Sequence, residues 1–287
     1  MKSLSRTLKN ASRLVRSPRM ATAYAKWLTA KGRPFIEFSG AKVGGFISFS
    51  EFWSVQHNLD ARELKIVSSV ISSAKGRKIA FDVGANLGLF SLGFASAGYT
   101  EVHSFEPIPT TYARLRANLA LNPKLEPRII TNMLGLGSSE GSFTFVVDPK
   151  SPATNKFGTG EAKLLPGECP VECKVTTLDS YAESRGLDEV LFLKVDVEGF
   201  ECEVLRGAKC LLGRGAVHFL YAEIIPELLT GAGSSVDEFA KLITSFGFEP
   251  VVLRADGSAG PKTVSLEEAL AESGDRHNVL FRHRGSS

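Results

Sequence analysis

The chain has 287 residues, 43% hydrophobic and 23% charged, so it can bury a sizeable core, and its length fits one large domain or two small ones. A formal net charge of +3 is too small to argue for nucleic acid, and no apolar run approaches the roughly 20 residues that cross a bilayer. The four cysteines, Cys169, Cys173, Cys202 and Cys210, lack the tight pairs and nearby histidines of a zinc site and read as reduced residues of a cytoplasmic protein.

Residues 1–34 form a basic arm, in which Lys2, Arg6, Lys9, Arg13, Arg16, Arg19, Lys26, Lys31 and Arg33 precede the first acid, Glu37. Leucines among those charges give it an amphipathic character broken at Ser17-Pro18. A solvated leader is the favoured reading, and peripheral contact of residues 1–33 with an anionic membrane surface is the alternative. Residues 35–75 follow as an aromatic flap (Phe35, Phe38, Phe46, Phe49, Phe52 and Trp53) and a lead-in helix over 60–75 through Leu64, Val67, Val70 and Ile71.

From residue 76 to 287 strands and helices alternate. The pattern predicts strands at 79–83, 101–105, 127–131, 190–195, 217–223 and 248–253, with helices at 88–97, 109–121, 199–212 and 235–246. A hairpin and long loop interrupt the rhythm over 133–178, and "RHNVLFRHR" reads as a last, antiparallel strand. Such alternation argues for an α/β fold with a mainly parallel sheet covered on both faces. His103 falls inside a strand and reads as a packed residue.

"KIAFDVGANLGLF" carries the first specific chemistry. A strand reaches Asp82 and breaks into Gly84-Ala85-Asn86-Leu87-Gly88 ahead of a helix. A dinucleotide fingerprint needs glycines in the order GxGxxG, but Asn86 and Leu89 stand at the second and third positions, so pyrophosphate is poorly served. The turn suits a ligand with an ammonium and a carboxylate but no phosphate, with Asp82 facing its cationic methionyl portion. Glu106, at the end of the next strand, can accept two hydrogen bonds from a ribose diol. Together these point to S-adenosylmethionine.

"FDVGANLG", "FEPIPTTYARLRANLALN", "TTLDSY", "FLKVDVEGFECEVLRGA", "YAEIIPELL" and "NVLF" resemble the FkbM-type S-adenosylmethionine-dependent methyltransferases over about residues 79–283. The resemblance implies a class I methyltransferase, Rossmann-like fold, with seven mostly parallel strands in the order 3-2-1-4-5-7-6 and helices on both faces. It implies methylation of hydroxyl groups on glycan sugars or natural products. It also assigns Asp82, Gly84, Asn86, Gly88 and Glu106 to the cofactor. Where relatives often read Ala-Leu-Ser-Asp, this chain has Gly135-Leu136-Gly137-Ser138; Ser138 stays a cofactor candidate there.

"LKVDVEGFE" places Lys194, Asp196 and Glu198 on alternate positions, and those near the strand end project into the crevice beyond the carboxyl edge. Transfer to an alcohol needs a base, and the catalytic candidates are Asp196, Glu198, Glu223 and Lys194, the lysine holding an acid charged. Asp196, Glu198 and Glu223 could instead hold a divalent metal, which is not favoured. Glu201 reads as a helix cap. The expected activity is O-methylation of a glycan or other hydroxylated small molecule. The competing readings are an NAD(P)-dependent oxidoreductase and a non-catalytic cofactor-binding module docking through its basic arm. Acceptor choice is expected to lie in the flap at 35–59 and the loop at 149–170.

Overall fold

The computed structural model describes residues 18–32, 34–58, 61–73, 77–147, 156–157, 167–253, 259–273 and 277–286. The expected loop at 149–170 falls mostly outside these residues, as do the first 17 residues of the arm.

Helix α1 (Pro18–Thr29) leads into a hairpin of β1 (Ile36–Phe38) and β2 (Ala41–Val43), then α2 (Phe49–Asn58) and α3 (Ala61–Ser73). The flap is thus a short hairpin followed by a helix. It is held by aromatic packing that reaches back into the arm: Trp27 stacks 5.8 Å from Phe52, Tyr24 meets Phe49 edge-on at 4.9 Å, and Lys26 lies over Phe52. Ala23 is buried in the same cluster. The boundary drawn at residue 34 is therefore not a packing boundary, and the second half of the arm is part of the folded unit.

The central sheet takes its strands from β3 (Ile79–Val83), β4 (Glu101–Phe105), β5 (Ile129–Asn132), β10 (Val190–Val195), β11 (Val217–Glu223), β12 (Phe248–Leu253), β13 (Ala259–Thr263) and β14 (Asn278–His283). Their order is β13-β12-β14-β11-β10-β3-β4-β5. Counting the seven strands apart from β13 in chain order gives 3-2-1-4-5-7-6, with β14 antiparallel to both its neighbours. The addition is β13, which pairs antiparallel with β12 and makes the sheet eight-stranded.

β3 and β10 are buried along their whole length, as expected of central parallel strands covered on both faces. Alternate side chains serve two cores. Phe81, Val83, Leu193 and Val195 face one, which includes Tyr181, Leu205 and Phe239. Ala80 and Phe192 face the other, with Phe94 of α4 (Leu89–Ala97), Leu115 of α5 (Pro109–Ala120) and the flap.

A second, four-stranded sheet fills the interruption. It orders β6 (Gly135–Leu136), β9 (Cys169–Thr176), β7 (Gly141–Val147) and β8 (Lys156–Phe157), with α6 (Leu178–Ser184) following β9. The helix expected over 199–212 is split into α7 (Glu201–Arg206) and α8 (Lys209–Gly213). The break has a steric reason: a Cβ at Gly207 would lie 1.9 Å from the Gly137 carbonyl oxygen, so the second sheet presses on the helix there. Helices α9 (Pro226–Gly231), α10 (Val236–Ser245) and α11 (Leu266–Ser273) complete the layers; α9 and α11 were not anticipated. All four cysteines are free, with Cys173 and Cys202 buried. His103 is packed as expected, 1% exposed, between Tyr181 and Glu101.

Candidate active site

The site grows from the carboxyl ends of β3, β4 and β10. After Val83 the chain turns through Gly84 (φ +77°), Asn86 (φ +48°) and Gly88 (φ +85°) into α4. The Gly84 and Ala85 amides both donate to the Phe105 carbonyl, which ties the turn to the end of β4. Glycine is required at 84 because a Cβ there would lie 1.8 Å from the Asp196 carbonyl oxygen. At 88 a Cβ would meet Leu115 Cδ1 at 2.5 Å.

Glu106 sits behind this turn, 5% exposed. Its carboxylate accepts the Asn86 amide at 3.1 Å and the Ile108 amide at 3.0 Å. Burial dominates those hydrogen bonds and pushes its pKa up to about 7.

Asp82 and Lys194 are register partners on adjacent strands. Asp82 is fully buried: one oxygen accepts the Ser91 hydroxyl at 2.5 Å, and the other lies 3.4 Å from the Lys194 ammonium. The expectation that Asp82 faces the methionyl portion is therefore corrected, because it supports the turn from beneath. Lys194 donates to the Gly84 carbonyl at 2.9 Å and lies 3.2 Å from the Asp196 carboxylate. Burial alone would lower the pKa of Lys194, but Asp196 and Asp82 outweigh it and raise it, so the ammonium stays charged. It also lies 5.3 Å from the centre of the Phe90 ring.

Asp196 is 37% exposed, open enough to meet a ligand. Glu198 takes φ +55° ahead of Gly199 (φ +101°), whose missing Cβ lets Leu228 O approach. Glu201 is 1% exposed and accepts the Val197 and Gly199 amides, as expected of a cap; burial pushes it up to about 7. At the end of β11, Glu223 is pushed up to about 9, first by burial and then by the charges of Asp196, Glu198 and Glu201. A carboxyl in that state holds its proton at neutral pH, which suits a hydrogen-bond donor better than a base. Among the described residues, no three His, Cys, Asp or Glu side chains are gathered so as to hold a metal ion.

Against the glycine turn lies a cavity of about 270 Å³, lined by Val83 and Gly84, by Phe105 and Pro107, and by residues 134–139 across from Val197 and Phe200. Gly84 and Ser138 reach it, whereas Asp196, Glu198 and Glu223 are not part of its lining. Sequence reasoning missed the walls supplied by Phe143 and Phe145 of β7 and by Glu203 of α7. It also missed Asn118, whose side chain accepts the Gly44 amide and donates to the Leu87 carbonyl, joining flap to turn. Phe143 and Phe145 lie outside every motif, while Asn118 and Glu203 lie inside motifs that give no hint of these contacts; only the fold assembles them.

A mostly parallel sheet with this order, a phosphate-poor glycine turn, a strand-end acid behind it and an apolar cavity beside it fit an adenosyl group, and they define an S-adenosylmethionine-dependent methyltransferase. Residues 82–250 match the Methyltransferase FkbM domain, and the chain belongs to that family. It is 29% identical over 189 residues to the hexuronic acid methyltransferase AglP of Haloferax volcanii, a match covering 64% of this chain and 73% of that protein. It is 30% identical over 164 residues to methyltransferase sdnD of Sordaria araneosa, covering 48% and 62%. The 31-O-demethyl-FK506 methyltransferase FkbM of Streptomyces tacrolimicus is 28% identical over 156 residues, covering 46% and 59%. The crystal structure of methyltransferase FkbM from Methylobacillus flagellatus overlaps 92% of this chain and 60% of that one at 13% identity, with a TM-score of 0.46. Membership sets aside the oxidoreductase alternative. Among the described residues no helix is long and apolar enough to cross a membrane.

Proposed function

We propose that this protein methylates a hydroxyl group of a glycan sugar or another hydroxylated small molecule, with Asp196 as the general base. Two relatives support the acceptor class by their names, one a hexuronic acid methyltransferase and the other a 31-O-demethyl-FK506 methyltransferase.

The observation that carries the role of Asp196 is the Lys194 bridge. One ammonium holds both the Gly84 carbonyl of the turn and the Asp196 carboxylate, so the acid is fixed beside the cofactor turn while still open to an acceptor. When bound, S-adenosylmethionine supplies an electrophilic methyl group on a sulfonium. The turn would hold the methionyl portion, Glu106 would take the ribose hydroxyls and the apolar cavity would take the base. Asp196 would accept the acceptor's hydroxyl proton as the new carbon–oxygen bond forms and the carbon–sulfur bond breaks. Orientation supplies much of the rate, since effective molarities of about 10⁵ M or more are available from alignment alone. Protonated Glu223 would donate to a neighbouring acceptor oxygen.

The test is release of S-adenosylhomocysteine from S-adenosylmethionine across a panel of neutral sugars, hexuronic acids and polyhydroxylated macrolides, with products located by mass spectrometry. Methyl transfer to a hydroxyl of at least one class is the expected result. Tight S-adenosylhomocysteine binding with no transfer to any of them would favour a non-catalytic binding module. Methylation of nitrogen or carbon centres would overturn the O-methyl assignment.

A further inference from the structure

The cavity beside the glycine turn contains one feature that its apolar character does not explain. Its walls include Phe105, Phe143, Phe145 and Phe200, and the only charged side chain lining it among the described residues is Glu203. Glu203 comes from α7, and the acid Glu106 is not part of the lining. The Ser138 hydroxyl donates to one of its carboxylate oxygens and the Arg206 guanidinium to the other. Arg206 also donates to Glu238, so the pair is anchored to α10.

A carboxylate offers about four acceptor positions, and two contacts leave capacity to spare. At 32% exposure it is partly withdrawn from water at the edge of an aromatic slot. The slot suits a flat heterocycle, because aromatic faces and edges pack favourably against such rings. A heterocycle bearing an exocyclic amine would present N–H donors where an oriented carboxylate accepts them.

We infer that Glu203, braced by Ser138 and Arg206, recognises the exocyclic amine of the cofactor's adenine. The inference rests on the adenosyl-cofactor reading and adds a residue that sequence reasoning had not assigned to the site. Ser138 then acts chiefly by orienting Glu203.

The experiment compares S-adenosylhomocysteine with its 6-deamino counterpart, which has a purine ring without the amine. Dissociation constants are measured by calorimetry for the wild-type protein, Glu203→Gln and Glu203→Ala. A charge-assisted hydrogen bond predicts at least about tenfold preference of the wild type for the amine-bearing ligand. Glu203→Ala should bring the two affinities within about threefold by weakening only the amine-bearing ligand, and Glu203→Gln should fall between. Arg206 keeps Glu238 in these variants, and Glu203→Gln preserves side-chain volume, so one folded variant is retained. Equal wild-type affinities would overturn the inference. So would a Glu203→Ala protein that loses both ligands in equal measure, since Glu203 would then only support the loop. Failure of the wild type to bind either ligand removes the adenosyl reading itself, and this inference with it.

Discussion

On one side of the cavity, the glycine turn and the end of β10 are joined by buried charge and by backbone contact: Lys194 lies between Asp82 and Asp196, and Gly84 meets the Asp196 carbonyl. On the other side, β6, β7 and β9 close the cavity with side chains, as where Gly135 faces Val175 and Phe145. Side chains can shift by a few tenths of an ångström, whereas backbone and desolvated ion pairs cannot. The first wall should therefore be less tolerant of change than the second.

The most severe test of that contrast compares two glycines. Gly84→Ala places a Cβ on a backbone oxygen at a left-handed φ, and should cost more than about 4 kcal/mol or prevent folding. Gly135→Ala meets Val175 Cγ2 at 3.0 Å and should cost about 1–2 kcal/mol by crowding. Denaturant melts of both variants decide it; similar losses would erase the distinction between the walls.

Next in size is the base. Asp196→Asn keeps the side-chain volume but removes the proton acceptor, so turnover should fall by about 10²–10⁴-fold while S-adenosylhomocysteine affinity stays within about threefold. A variant retaining more than about a tenth of wild-type turnover would show that Asp196 is not the base. Chelator treatment of the wild type adds a separate readout, since a base-only site should ignore it.

Glu106 gives a smaller, pH-dependent effect. Its folded pKa, pushed up to about 7 from 4.5, favours the neutral form in the unliganded fold. That contribution to stability is present below about pH 4.5 and is lost as pH rises through about 7, by roughly 3 kcal/mol in all. Ribose hydroxyls donate to the ionised form, so affinity for S-adenosylhomocysteine should climb about tenfold between about pH 5.5 and 7.5. Glu106→Gln should bind more weakly and flatten that slope. A wild-type slope that persists in the variant points to another titrating group.

The two walls also differ in how far the sequence exposes them. Strands at 79–83, 101–105 and 190–195, the turn at Gly84 and the acids at 106 and 196 lie within short contiguous stretches, so local pattern and spacing suffice. Sequence position placed Asp82 at the strand end but not beneath the turn, because its burial depends on Ser91 and on Lys194 from a strand 112 positions away (194 − 82). Phe143 lies outside every motif, and Glu203, though inside one, joins it in the cavity lining only because the second sheet folds back over α7. The same holds for α1, whose Trp27 packs on Phe52; the basic charges around it favoured a solvated leader, and the aromatic partner decided otherwise.

The smallest expected effect belongs to Glu223, and its size separates the two acids of the crevice. Burial, then Asp196, Glu198 and Glu201, push its pKa up to about 9 against the opposing pull of Lys194. A raised carboxyl pKa means the proton is bound in the folded state, with its stabilising contribution present below about pH 4.5 and lost as pH rises through about 9. At pH 7 the group is a neutral acid, and an amide imitates both its size and its capacity to donate. Glu223→Gln should then keep turnover at pH 7 within about threefold, whereas removal of a true base costs about 10²–10⁴-fold. Above about pH 9 the wild type gains a negative charge beside Asp196 and should lose activity and stability that the variant retains. Parallel pH–rate profiles of the two proteins read this directly. A hundredfold loss at pH 7 in Glu223→Gln would transfer the role of base from Asp196 to Glu223.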